Sequence, residues 1–84
     1  MYTLEFKSSV EKDFRKIPKT QLVKIWTEIQ KLKDDPRPKN SRKLAGTESD
    51  YRIRIGDYRV VYQIVDDSKL VVIFATAHRK DIYR

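Results

Sequence analysis

Tyr2, Leu4 and Phe6 alternate with Thr3, Glu5 and Lys7, the period-two pattern of a strand with one buried face. Ser8 followed by Glu11 has the form of a capping box, which predicts a helix start. Val10, Phe14 and Ile17 give that helix an apolar stripe, and Pro18 stops it. A second helix begins near Lys19 or Thr20. Leu22, Ile25, Trp26, Ile29 and Leu32 recur at helical spacing on one face, and the helix ends before Pro36. Its place on that stripe puts Trp26 in the core rather than on the surface as a base-stacking platform.

The second half switches to period two. Tyr51, Ile53 and Ile55 alternate with Arg52 and Arg54, Gly56-Asp57 reads as a two-residue turn, and Tyr58, Val60, Tyr62 and Ile64 alternate with Arg59, Val61 and Gln63. A hairpin about that turn sets Ile55 against Tyr58, Ile53 against Val60 and Tyr51 against Tyr62, an apolar side for the helices. The same register puts Arg54 opposite Arg59 and Arg52 opposite Val61; a one-residue slip would bring arginine into the core. Asp66-Asp67-Ser68 marks another turn. Leu70 to Ala77 is almost continuously apolar, as in a central strand covered on both faces. With Val65 and Leu70 as partners, Arg59 lies near Thr76, and His78, Arg79 and Lys80 emerge at the Gly56-Asp57 end. The order β-α-α-β-β-β is an α+β domain, a helical hairpin packed on a largely antiparallel four-stranded sheet. With 84 residues, residues 1–84 are expected to form a single domain.

The chain has no cysteine, which excludes a disulfide framework, a thiolate nucleophile and a cysteine zinc site. The first residues are amphipathic and carry acids early, unlike a secretory signal peptide. No apolar run approaches the roughly 20 residues of a membrane-spanning helix, so a cytoplasmic protein with no membrane partner is expected. The formal charge of +7 favours a polyanionic partner: nucleic acid, a nucleic-acid machine or an acidic protein. Arg37, Lys39, Arg42 and Lys43 lie in an acid-free stretch, Pro36 to Gly46, read either as a solvated loop or as a clamp on RNA phosphates.

Facing arginines across two strands destabilise a sheet. Read blandly, they are polar residues on a solvated face, partly neutralised by Asp50, Asp57 or Asp81. Read functionally, they form an oxyanion site whose repulsion is relieved when phosphate binds, with Arg54, Arg59 and Arg79 converging at one end.

KLAGTESDYRIRIGDYRVVYQIVDD, then an apolar strand and HRKDIYR, resembles the RelE/ParE toxin superfamily, on the RelE side, over essentially the whole chain. The resemblance implies a type II toxin that enters the ribosomal A site and cuts mRNA without metal or other cofactor. In that chemistry the ribose 2′-hydroxyl attacks the adjacent phosphate. The implied partners are the ribosome with its 16S rRNA, mRNA, and a cognate RelB-like antitoxin. By the same resemblance Arg59 matches the arginine that stabilises the scissile phosphate, Arg79 the one acting at the leaving oxygen, and Tyr83 the tyrosine that orients the substrate nucleotide. Arg52 and Arg54 stand where the family carries two lysines. A guanidinium does not serve readily as a base, so the proton acceptor is open among His78, Asp81, Tyr83 and a ribosomal RNA group. Lys80, with Arg37, Lys39, Arg42 and Lys43, is the expected RNA-binding set. A ParE-like toxin that inhibits DNA gyrase by contact, and a catalytically dead RNA-binding or antitoxin-docking module, are the alternatives.

Overall fold

A computed structural model describes residues 1–80. Strand β1 (Thr3–Phe6) leads into helix α1 (Ser8–Arg15) and helix α2 (Lys19–Lys31), followed by strands β2 (Ser41–Lys43), β3 (Asp50–Ile55), β4 (Tyr58–Val65) and β5 (Leu70–His78). The described strands form one sheet in the order β1-β5-β4-β3-β2. All neighbours are antiparallel except β1, which runs parallel to β5. The α+β class matches the expectation, and the element order does so apart from one added strand. The sheet has five strands rather than four, because three residues of the basic stretch, Ser41–Lys43, pair with Tyr51–Ile53.

The two helices cover one face. Val10 from α1, Ile25 and Ile29 from α2, and Leu32 just past its end meet Ile53, Val60, Tyr62, Val71 and Ile73, each no more than 1% exposed. Burying each such side chain stabilises the fold by about 1.5–3 kcal/mol relative to exposure. Ser8 opens α1 but makes no capping hydrogen bond; Lys7 holds the cap position, and the Val10 amide donates to its carbonyl. The capping-box reading is therefore corrected. Helix α1 ends at Arg15, and Ile17 is buried in the link before Pro18. Trp26 is 46% exposed, against expectation, and stacks on Phe6 at 5.6 Å. It lies about 100° round the helix from Ile25 and so clears the sheet.

The β3–β4 hairpin has the expected register at every position from Tyr51↔Tyr62 to Ile55↔Tyr58. Gly56 takes φ +60 at the first turn position, a conformation an L side chain rarely adopts. Val65 pairs with Leu70 as expected, but the ladder then slips: Tyr62 faces Ile73 while Val61 faces Ala75. Phe74 is the extra residue of a bulge. Arg59 consequently pairs with Ala77, not Thr76, and Tyr58 pairs with His78. One residue of slip exchanges the faces of everything beyond it.

Among the described residues no strand flanks the edge of β5 beyond Phe6, and α1 takes over. Ser9 Oγ donates to the Phe74 carbonyl (3.5 Å), and Asp13 Oδ2 accepts the Thr76 amide (3.0 Å). Two side chains one helical turn apart thereby serve an otherwise open strand edge. Thr76 is 1% exposed, and among the described residues its Oγ1 has no hydrogen-bond partner.

Candidate functional site

The face of the sheet turned away from the helices concentrates arginine. Arg54 stands opposite Arg59, and Arg42 on β2 stands opposite Arg52 on β3. The sequence alone reads Arg42 as part of a loop or clamp; the pairing of β2 brings it beside Arg52. Like charges directly opposite each other disfavour a sheet unless something compensates them. Lys39, Asn40, Arg42, Arg52 and Arg54 line a groove of about 240 Å³. Asn40 fixes its rim by donating from Nδ2 to the Arg54 carbonyl (3.0 Å). Among the described residues none of Lys39, Arg42, Arg52 and Arg54 is within salt-bridge reach of a carboxylate.

Arg59 differs from its neighbours in being 8% exposed. Its Nη1 donates to the carbonyls of Gly56 (3.3 Å) and Tyr58 (3.1 Å), which are among its partners. Those bonds tie the guanidinium to the turn that Gly56 shapes. Arg79 reaches the same turn: its amide donates to the Asp57 carbonyl (2.7 Å), and its Nε lies 4.0 Å from Asp57 Oδ1. Arg79 follows directly on the end of β5, and its contacts with Asp57 keep it at the turn that also ties Arg59. Arg54, Arg59 and Arg79 therefore gather at the Gly56-Asp57 end.

The bulge at Phe74 removes His78. It faces Tyr58, with the rings edge to face at 5.6 Å, on the side where the helices pack. Its Nδ1 accepts the Lys80 amide (3.3 Å). Asp13, Lys16, Ile17, Tyr58, Thr76 and His78 border a cavity of about 410 Å³ there, across the sheet from the arginines. Lys80 is exposed beside the turn end. Asp81 and Tyr83 lie outside the described residues.

The basic stretch divides between the two faces. Lys39 and Arg42 border the arginine groove, whereas Lys43 pairs with Tyr51 on the opposite side. Arg37 is engaged elsewhere. Its Nη2 and Nη1 fork onto Asp66 (2.9 and 3.4 Å), and its Nε donates to the Tyr51 hydroxyl (3.1 Å). Asp66 also accepts the Tyr2 hydroxyl (2.6 Å). The Arg37 guanidinium, then the Tyr2 hydroxyl, hold the Asp66 carboxyl below the usual carboxylate range. Arg37 thus straps the stretch before β2 to the β4–β5 turn. Tyr62 closes the same corner from inside: its hydroxyl donates to the Pro36 carbonyl (2.7 Å), and burial pushes its ionisation well above the usual phenol value.

The arginine face can bind and orient phosphate oxygens and stabilise growing negative charge. Among the described residues no cluster of three or more His, Cys, Asp or Glu could hold a metal ion, and no helix is long and apolar enough to cross a membrane.

Known proteins resemble this chain in sequence and fold. A family model described as the ParE toxin of the type II toxin–antitoxin system, parDE, matches residues 4–83. A protein named putative toxin RelE1 from Methanocaldococcus jannaschii is 31% identical over 86 residues, covering 99% of this chain and 96% of that one. The mRNA interferase toxin RelE of Escherichia coli K12 is 27% identical over 81 residues, covering 94% and 84%. The archaeal RelE in the RelE–RelB complex from Pyrococcus horikoshii superposes with a TM-score of 0.84 at 28% identity, over 95% of this chain and 97% of that one. The family model carries the ParE description, whereas these relatives carry RelE names. The chain therefore belongs to the RelE/ParE superfamily of type II toxins, as a RelE-like member.

Proposed function

We propose that this toxin is an endoribonuclease that cuts mRNA in the ribosomal A site, and that a RelB-like antitoxin silences it. The observation that carries this reading is the Arg54–Arg59 pair beside the turn that also holds Arg79. The relative named as an mRNA interferase and the neighbour solved with RelB support it.

In the proposed reaction the ribose 2′-oxygen attacks the adjacent phosphorus as its proton leaves. The bond to the 5′-oxygen breaks, and that oxygen gains a proton, leaving a 2′,3′-cyclic phosphate and a 5′-hydroxyl. Arg59, already tethered at the turn, meets the scissile phosphate without reorganising, and Arg54 adds a second guanidinium from the facing strand. Arg79 acts at the leaving oxygen. Lys39, Arg42 and Arg52 hold flanking phosphates of mRNA or 16S rRNA. The reaction as written needs no metal.

Guanidinium groups do not take up the 2′-hydroxyl proton, and His78 sits on the other face. The acceptor then comes from residues 81–84 or from the ribosome, which also orients the substrate. A ribosomal substrate puts the toxin in the cytoplasm. The test is to add purified toxin to ribosomes programmed with a defined mRNA and map the ends. Cleavage on ribosomes, with free mRNA left largely intact, is expected. Gyrase inhibition with no mRNA cleavage contradicts the proposal.

A further inference from the structure

A cavity of about 410 Å³ lies on the inner side of α1, between the end of that helix and the last residues of β5. That size falls within the roughly 300–1,000 Å³ of small-molecule sites. The cleavage reaction does not use it, since the facing arginines stand across the sheet. Its wall carries two opposite charges. Asp13 and Lys16 are three residues apart at the end of α1, a spacing at which helical side chains can meet. Among the described residues neither is within salt-bridge reach of an opposite charge. Asp13 gives Oδ2 to the Thr76 amide (3.0 Å). The Thr76 hydroxyl, in a residue only 1% exposed, lacks a partner among the described residues. His78 Nδ1 accepts the Lys80 amide, so the ring proton sits on Nε2 as a further donor. Ile17, Ala77 and the Tyr58 ring supply the apolar remainder.

We propose that this cavity binds a free α-amino acid with an apolar side chain. Its ammonium meets Asp13, its carboxylate meets Lys16, and its side chain packs against Ile17, Ala77 and Tyr58. The charges select the class. A plain anion would face Asp13 and a plain cation Lys16, each with a like-charge penalty. A zwitterion with both charges on one carbon bridges two side chains one helical turn apart and satisfies both. RNA is a poor occupant, because its phosphates are drawn to the arginine face and repelled by Asp13. Thr76 supplies a further polar contact: a turn of χ1 to another staggered well swings its hydroxyl toward the ligand carboxylate. The inference goes beyond the nuclease reading and does not depend on it, since binding is read on the chain alone.

The probes are leucine, N-acetylleucine, which lacks the ammonium, and leucinamide, which lacks the carboxylate. Leucine should shift the amide NMR signals of Thr76, Ala77 and His78 and raise the unfolding midpoint, with half-saturation below about 1 mM. Each of the other two should bind about tenfold more weakly or worse. Glycine, with no side chain to bury, should also bind about tenfold more weakly. Asp13→Asn keeps an oxygen for the Thr76 amide, and Lys16→Gln changes an exposed position, so both variants should fold. Both should lose affinity for leucine by about tenfold, and Thr76→Val by several-fold. Half-saturation above about 1 mM overturns the proposal. Equal binding of all three leucine compounds, shifts that gather at Arg42, Arg52 and Arg54 instead, or charge variants that bind leucine as the wild type does also overturn it. Leucine binding by a wild-type chain that cuts no mRNA would remove the nuclease reading and leave the cavity assignment standing.

Discussion

Arg54 stands directly opposite Arg59 across the β3–β4 ladder, in the pair next to the one that closes the Gly56-Asp57 turn. The apolar register beneath them leaves the two guanidinium-bearing residues no other arrangement, since a slip by one position would bury Arg54 among the core side chains. The hairpin therefore holds two like charges side by side.

Like charges directly opposite across strands repel, and the effect is measurable. Replacing exposed Arg54 by threonine removes the facing charge and keeps a good strand former, so Arg54→Thr should gain about 0.2–1 kcal/mol in urea unfolding. Added phosphate should stabilise the wild type more than the variant. A variant less stable than wild type, or one equally sensitive to phosphate, contradicts the charge argument.

Asp13 presents the second test. Its carboxylate accepts the Thr76 amide on an edge that β1 does not reach. Asp13→Ala should lose about 1–3 kcal/mol and speed hydrogen exchange at that amide, while Asp13→Asn, which keeps an acceptor oxygen, should lose less. Unchanged exchange at the Thr76 amide in Asp13→Ala would show that α1 does not guard the edge.

Thr76 itself carries a buried hydroxyl without a partner among the described residues. Thr76→Val preserves the shape and removes the orphan, so stability should rise by about 1 kcal/mol. A loss of similar size in thermal or urea unfolding would mean that the hydroxyl is satisfied in solution.

The Arg37–Asp66 strap gives a pH dependence of defined sign. Asp66 has a lowered folded-state pKa, so the stability from its pairing is present above the ordinary carboxylate value of about 3.9 and is lost as pH falls through the lowered value. The stability gap between wild type and Asp66→Asn should be flat near neutrality and close in acid. A gap that widens below about pH 4 would reverse the assignment.

What the sequence made legible divides along physical lines. The β3–β4 register could be read because polar and apolar residues alternate on both strands around a glycine turn. The bulge at Phe74 could not, because β5 is apolar at nearly every position and its pattern has no phase to betray an extra residue. That single insertion sets which residues of β5 share the face of Arg59, putting His78 opposite Tyr58 on the helix side. Strand β2 was hidden for a related reason: Ser41-Arg42-Lys43 has no apolar alternation and pairs at the sheet margin through its backbone. Trp26 misled because helical spacing defines a broad face, and the flank of that face meets Phe6 instead of the sheet. Arg37 and Lys39, two residues apart, have different roles, and only the Asp66 and Tyr51 contacts separate them.

The central claim is that the arginine face is the phosphate site of an mRNA nuclease. The most direct measurement is single-turnover cleavage on programmed ribosomes by wild type, Arg54→Gln, Arg59→Lys and Arg59→Ala, with each variant's fold checked by amide NMR spectra. Loss of one well-placed oxyanion donor typically lowers such a rate by about 10²–10³. Arg59→Ala should fall by at least that much, Arg59→Lys should recover part of it by keeping the charge without the fork, and Arg54→Gln should lie between wild type and Arg59→Ala. Folded Arg59→Ala protein cutting at the wild-type rate would contradict the account.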